Sequence, residues 1–355
     1  MRSPKTLFYL AALLALLVIG IVFVKGASPE VILPSEDLFH IGPWAVRNTV
    51  FTSWLVIIFL VVMSYLATRN STIVPVRFLQ NFVEAVIEWM YGIVADAAGE
   101  ANARRFFPIV ATIFLYVICS NWFGLLPFYN TIGRTATPEV ASGQTAHPIQ
   151  YNVYQAGPLP VAIEGLHPKT ADVKANDTGE PVRSDGQPLT SADGSQTTAT
   201  FIPFFRSVFS DPNAPLSIAL VSFVVVEYWG LSTLGAGTYL SKFFNFRALF
   251  HGQVLGILDI FVGLLELLSE FVRIISFTFR LLGNIFAGEV LITFMTFLIP
   301  FLVPTVFYGM ELFVGFIQAS IFALLTLVFA IMAVEHHESG EHAESGHEEF
   351  ELEPA

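Results

Sequence analysis

The 355-residue chain is poor in charge, in cysteine and in basic clusters, and each shortage excludes something. Charged residues make up 13% against 54% apolar, where a soluble domain is usually about a quarter charged. A fold built for water alone is excluded. Cys119 is the single cysteine, which rules out an intrachain disulfide, an iron–sulfur cluster and a cysteine-based zinc site. No basic patch is present, so nucleic acid is not an expected partner. The sequence also lacks a nucleophile–base pair, a phosphate loop and an internal repeat. It therefore implies no cofactor, no metal site and no catalytic residue. The net charge of −12 is local rather than general, because residues 335–355 hold eight Glu and no Lys or Arg. His336, His337, His342 and His347 stand among those acids and read as part of a solvated tail.

What the sequence does have is long apolar runs. Several reach the roughly 20 residues that cross a bilayer as helix, and none alternates as a spanning β-strand of about 10 residues would. The expected fold class is an all-α membrane protein, a multi-span helical bundle. Residues 1–49 hold a signal-like or anchor helix over 7–24 and an external segment. Residues 50–128 supply a span (50–66), an amphipathic helix (76–105) lying on the membrane surface, and a second span. Residues 129–200, rich in Gly, Pro, Ser, Thr and Asp, read as an external, loop-dominated hydrophilic insertion. Residues 201–334 form the core, and 335–355 an acidic tail. Within that core, 254–298 makes either two spans or one long, strongly tilted helix, and 306–334 returns beside it. Arg69, Arg77, Arg104, Arg105, Lys242 and Arg247 all fall on one side, which is then cytoplasmic along with the tail.

Six charges interrupt the first long arm: Asp259, Glu266, Glu270, Arg273, Arg280 and Glu289. Each costs about 3 kcal/mol at a bilayer centre, so they must face protein, water or one another. Asp259, Glu266, Arg273 and Arg280 recur every seven residues and share one stripe, which Asn284 continues. Glu289 lies about half a turn away around the helix. Arg273 has Glu270 three residues before it. Arg280 has Ser276, Phe277, Gly283 and Asn284 at helical distance and no acid. Its guanidinium needs a carboxylate from elsewhere, either Glu227, Glu289 or Glu311 of this chain or a group on another. On the return arm Glu311 and Gln318 share a face.

The string Ser276-Phe-Thr-Phe-Arg280-Leu-Leu-Gly283-Asn284-Ile-Phe-Ala287-Gly288-Glu289 resembles the signature of the a subunit of F-type ATP synthases. Gln318-Ala-Ser-Ile-Phe-Ala-Leu-Leu-Thr326, Asn121-Trp-Phe-Gly124-Leu-Leu-Pro127, Asp211-Pro-Asn213 and Tyr228-Trp229-Gly230 are similar to its other spans. The resemblance implies two offset proton half-channels beside a c-ring, with the long helices forming a hairpin that faces the ring. It implies that Arg280 faces the ring carboxylate and that Glu289, Glu311 and Glu266 are half-channel acids. Asn284, Gln318 and Ser276 are then their polar neighbours. It further implies b-type peripheral stalk partners, a bacterial plasma-membrane location, and a subunit that translocates protons without being an enzyme by itself. Gly124 stands where some relatives carry an acid. A proton-coupled secondary transporter, the membrane subunit of another ion-translocating complex and a purely structural membrane anchor are the alternatives.

Overall fold

The computed structural model describes residues 15, 35–69, 77–126, 129–137, 145–146, 149–156, 159–164, 171–175, 181–184, 188–190, 196–235, 237, 239, 256–299 and 302–334. The run 7–24, but for residue 15, and the tail 335–355 with its histidines fall outside these residues, as do Lys242 and Arg247.

Among the described residues five helices are long and apolar enough to cross a membrane, and the core of the protein is the multi-span helical bundle expected from the sequence. α1 is Asn48–Thr68. Before it, β1 (Asp37–Ile41) and β2 (Trp44–Arg47) form an antiparallel hairpin turning at Gly42, whose φ of 63° suits a residue without Cβ. α1 leaves Ile57, Ile58, Val61 and Val62 exposed, as a lipid-facing helix does. Its inner side is held by the Ser53–Tyr116 hydroxyl pair at 2.8 Å.

α2 is Phe78–Gly124, broken once at Gly99 (φ 74°, ψ 154°). That break divides the expected amphipathic helix from the span after it, a few residues before the boundary expected at 105. Met90 and Val94 are buried while Glu84 and Glu88 are exposed, but Gln80 is also buried and Phe78, Phe82 and Trp89 are exposed. The two halves fold onto each other, with Tyr91 against Phe107 and Trp89 against Phe114.

The insertion differs from expectation. It is not loop-dominated: seven strands occupy it among the described residues, β3 (Gly133–Ala136), β4 (Thr145–Ala146), β5 (Ile149–Ala156), β6 (Leu159–Glu164), β7 (Val173–Ala175), β8 (Pro181–Arg183) and β9 (Gln196–Pro203). β3, β6, β5 and β9 close on one another through antiparallel pairs, and β4, β7 and β8 make a separate sheet. Closure leaves these four strands without a free edge. The boundary expected at residue 200 falls inside β9.

α3 is Asn213–Leu234. α4 (Gly256–Leu298) and α5 (Leu302–Val334) are the two long arms. α4 is one unbroken helix of 43 residues, about 65 Å long at 1.5 Å per residue. It therefore fits a hydrocarbon core of about 30 Å only when steeply inclined. This settles the choice between two spans and one. α2 and α3 pack on α5, and α3 also on α4. Phe106, Phe209, Leu281, Phe322 and Leu327 are fully buried at the centre, with Phe106 on Trp229 and the Ser222–Thr326 hydroxyl pair at 2.8 Å joining helices.

Candidate functional site

α4 and α5 run antiparallel in a register that several contacts set independently. Phe277 stacks on Phe322 with centroids 4.7 Å apart. Arg273 lies 3.6 Å over the Phe329 ring. Gly288 is opposite Glu311: a Cβ there would collide with the Glu311 carboxyl, so only glycine lets that side chain lie across α4. By this register Gln318 stands opposite Leu281, next to Arg280 and about one turn from Asn284. Four of the residues singled out in the sequence are thus brought together along one helix pair.

Their state differs from that of ordinary buried polar groups, which nearly always find partners. Arg280 Nη1 is buried without a hydrogen bond, as are Asn284 Nδ2 and Gln318 Oε1. The nearest group recorded for the Arg280 guanidinium is the Phe277 ring at 5.7 Å, and among the described residues it makes no ion pair. The stripe Glu266, Arg273, Arg280 and Asn284 lies at the border between the buried and exposed sides of α4. Its exposed side is apolar, with Phe261, Leu265, Leu268, Phe271, Val272, Ile275 and Phe279 uncovered. Ser276 is on that exposed side, away from the helix pair's interior.

Two of the three in-chain candidates for pairing with Arg280 are engaged elsewhere, and the third, Glu311, lies across Gly288. The Glu227 carboxylate accepts the Tyr239 hydroxyl proton at 2.9 Å. Glu289 accepts from Asn130 Nδ2 at 2.9 Å and lies 3.8 Å from Arg206 Nε. Glu311, 6% exposed, is seated on Gly288. Arg273, by contrast, is fully paired: its Nη1 is 2.7 Å from Glu270, and Nη2 donates to the same carboxylate at 2.8 Å.

Glu289 and Glu311 lie on the part of the hairpin toward the α4–α5 turn, where Gly288 precedes the one in sequence and receives the other. Glu266 lies twenty-two positions before Gly288 on α4 and has no part in that group. On its side the deeply buried acid is Glu270, 7% exposed, while Glu266 is half-buried. Reading the sequence alone did not single out Arg206 or Asn130. The signal was a lone cation in the apolar stretch before Asp211 and an Asn at the opening of the insertion. The chain turns at Asn130, the one described non-glycine residue with positive φ (56°), and the Asn130 N–H donates to Phe205 O at 3.0 Å. This turn aims the amide at Glu289. Asn121 donates to Gly315 O at 3.1 Å and Trp122 Nε1 to Leu312 O at 3.1 Å, which locks the end of α2 to α5 beside Glu311.

The family model described as "ATP synthase A chain" matches residues 50–330. An ATP synthase subunit a from Moorella thermoacetica is 25% identical over 303 residues, covering 85% of this chain and 97% of the relative. One from Gloeobacter violaceus is 26% identical over 304 residues, covering 84% and 89%. With the long hairpin, an arginine without an ion pair among the described residues and a match that runs across all five helices, the chain belongs to the ATP synthase A chain family.

Proposed function

We propose that this chain is the a subunit of an F-type ATP synthase, a non-catalytic stator that couples proton flow to rotation of a c-ring. The observation that carries the proposal is the Arg280 guanidinium, which keeps its charge in any protein and here has no carboxylate partner among the described residues, with Glu227 and Glu289 bonded elsewhere and Glu311 directed across Gly288. A carboxylate on a partner subunit completes it. Asn284, with an unused N–H donor beside that charge, is suited to the same incoming carboxylate. The uncovered apolar side of α4 supplies the surface against which a ring of helices would turn.

Protons enter from outside toward Glu289 and Glu311 and neutralise a ring carboxylate, which can then rotate into lipid. After nearly a full turn it releases its proton to the cytoplasmic side near Glu266. Arg280 separates the two paths, repelling a free proton and attracting an ionised ring site. The chain sits in a bacterial plasma membrane with b-type stalk partners and its acidic tail in the cytoplasm. A secondary transporter is less well supported, because such proteins place broken helices around a midplane site and α4 is continuous.

The test is proton flux in membrane vesicles carrying Arg280→Ala, ATP-driven and then passive after removal of the soluble sector. Coupled pumping should be lost while assembly and passive conduction persist. Normal pumping would return Arg280 to a structural role.

A further inference from the structure

We propose that Glu36, on the segment leading into β1, is the outer receiving group of the half-channel that reaches Glu289, and that the insertion's Arg134 helps hold it there. The proposal rests on the proton-translocating reading above. Glu36 precedes the stretch matched by the family, which begins at residue 50.

The segment is anchored where it must be. Asn48 N–H, at the start of α1, donates to Glu36 O at 3.1 Å, and Asn48 Nδ2 donates to Pro203 O at the end of β9. Arg134 on β3 donates to Asp37 O at 2.7 Å. Strand, insertion and first span thus converge on one point. Arg206 is 5% exposed there, is ion-paired to Glu289 at 3.8 Å and also acts electrostatically on Glu36. One guanidinium therefore serves two carboxylates. Glu36 Oε2 is buried and has no hydrogen-bond partner.

The surrounding charges are otherwise committed. Arg47 pairs with Asp37 at 3.8 Å and with Asp211 at 3.4 Å. Tyr129 is buried, and its phenol is pushed up to about 12 by that burial, so it stays neutral. Glu36 alone is poised. Burial pushes its carboxyl up to about 7, against the lowering pull of Arg206 and Arg134. A group titrating near ambient pH both accepts and releases a proton readily. In this scheme a proton from external water binds Glu36, leaves through water held between Arg206 and Asn130, and protonates Glu289. Glu36 is left ionised for the next. Arg206 positions both acids and carries no proton itself.

The complex reconstituted in liposomes and stripped of its soluble sector gives the readout, as passive proton conduction against pH on the outer face with the inner pH held constant. Conduction in the unaltered complex should break near the Glu36 value of about 7 and fall about tenfold per pH unit above it as the protonated fraction falls. Glu36→Gln should remove the break and lower conduction throughout, and Glu36→Asp should restore a break. Arg134→Gln, which leaves Glu36 intact, should move the break upward. An unaltered profile in Glu36→Gln, or an unmoved break in Arg134→Gln, overturns the proposal. Arg280→Ala is run alongside. If it pumps normally, the half-channel reading itself falls. If it is uncoupled while Glu36→Gln behaves as the unaltered complex does, only the role of Glu36 falls.

Discussion

Arg273 and Arg280 stand two turns apart on the same stripe of α4, and the protein treats them in opposite ways. Arg273 is neutralised by Glu270 through two contacts of 2.7 and 2.8 Å and covered by the Phe329 ring. Arg280 has an aromatic neighbour at 5.7 Å and a buried nitrogen with no acceptor. Two cations on one buried border cannot differ this way because of solvent alone. The difference teaches that the first is a finished structural element and the second is a cation left open, for which we propose a carboxylate on another chain.

The sharpest way to break that comparison is to keep charge and change shape. Arg280→Lys retains a cation but loses the planar, two-pronged donor set. ATP-driven pumping should fall by about tenfold or more, the scale of losing one charge-assisted hydrogen bond of about 1.5–3 kcal/mol. Full pumping in the lysine variant would show that a point charge suffices and that the fork has no role.

Arg273→Met should behave differently. It leaves Glu270 buried without its cation, a change that costs about 3–5 kcal/mol for a buried pair, and the amount of assembled chain should drop. Because the pair is internal, Glu270→Leu with Arg273→Met should recover assembly and pumping together. If the double variant assembles and does not pump, Arg273 belongs with Arg280 and the contrast is false.

Two glycines on α4 extend the test to packing. Gly288→Ala drives a methyl into the Glu311 carboxyl, whereas at Gly283 nothing among the described residues lies within 4 Å of an added Cβ. The first should lower assembly by the 1–3 kcal/mol typical of overpacking. Gly283→Leu should leave the chain's own stability alone and reduce association with the ring, measured by copurification. Unchanged copurification would place the ring on another face.

Much of this was legible in the sequence for physical reasons. The cost of charge in lipid made α4 conspicuous, and helical spacing separated Arg273 from Arg280 before any coordinates. The register that opposes Gly288 to Glu311, and Gln318 to Leu281, was not legible, because it depends on how α4 and α5 slide past each other. Arg206 and Asn130 were missed because they join Glu289 only through tertiary turns across 159 positions in the case of Asn130. The strands of the insertion left a signal, Ile149, Tyr151 and Val153 alternating with Gln150 and Asn152. Its abundant Gly and Pro outweighed that signal.

The smallest effect concerns a completed cluster far from the ring, where the logic of Arg273 should recur. Burial pushes the Asp211 carboxyl up, but the Asn213 N–H, the Ser35 hydroxyl and Arg47 together outweigh it and hold the group below its ordinary 3.8. A carboxyl more acidic in the folded than the unfolded state stabilises the fold above the unfolded value and loses that contribution as pH falls below it. Hydrogen exchange at residues 35–47 should therefore show protection that declines as pH drops below 3.8. Asp211→Asn should start with slightly less protection at neutral pH and lose no more in acid. Exchange around Arg280 should be indifferent to the substitution. An acid step of equal size in both proteins would mean that a different carboxyl ties β1 and β2 to the start of α3, and that this pairing, unlike that of Arg273 with Glu270, contributes little.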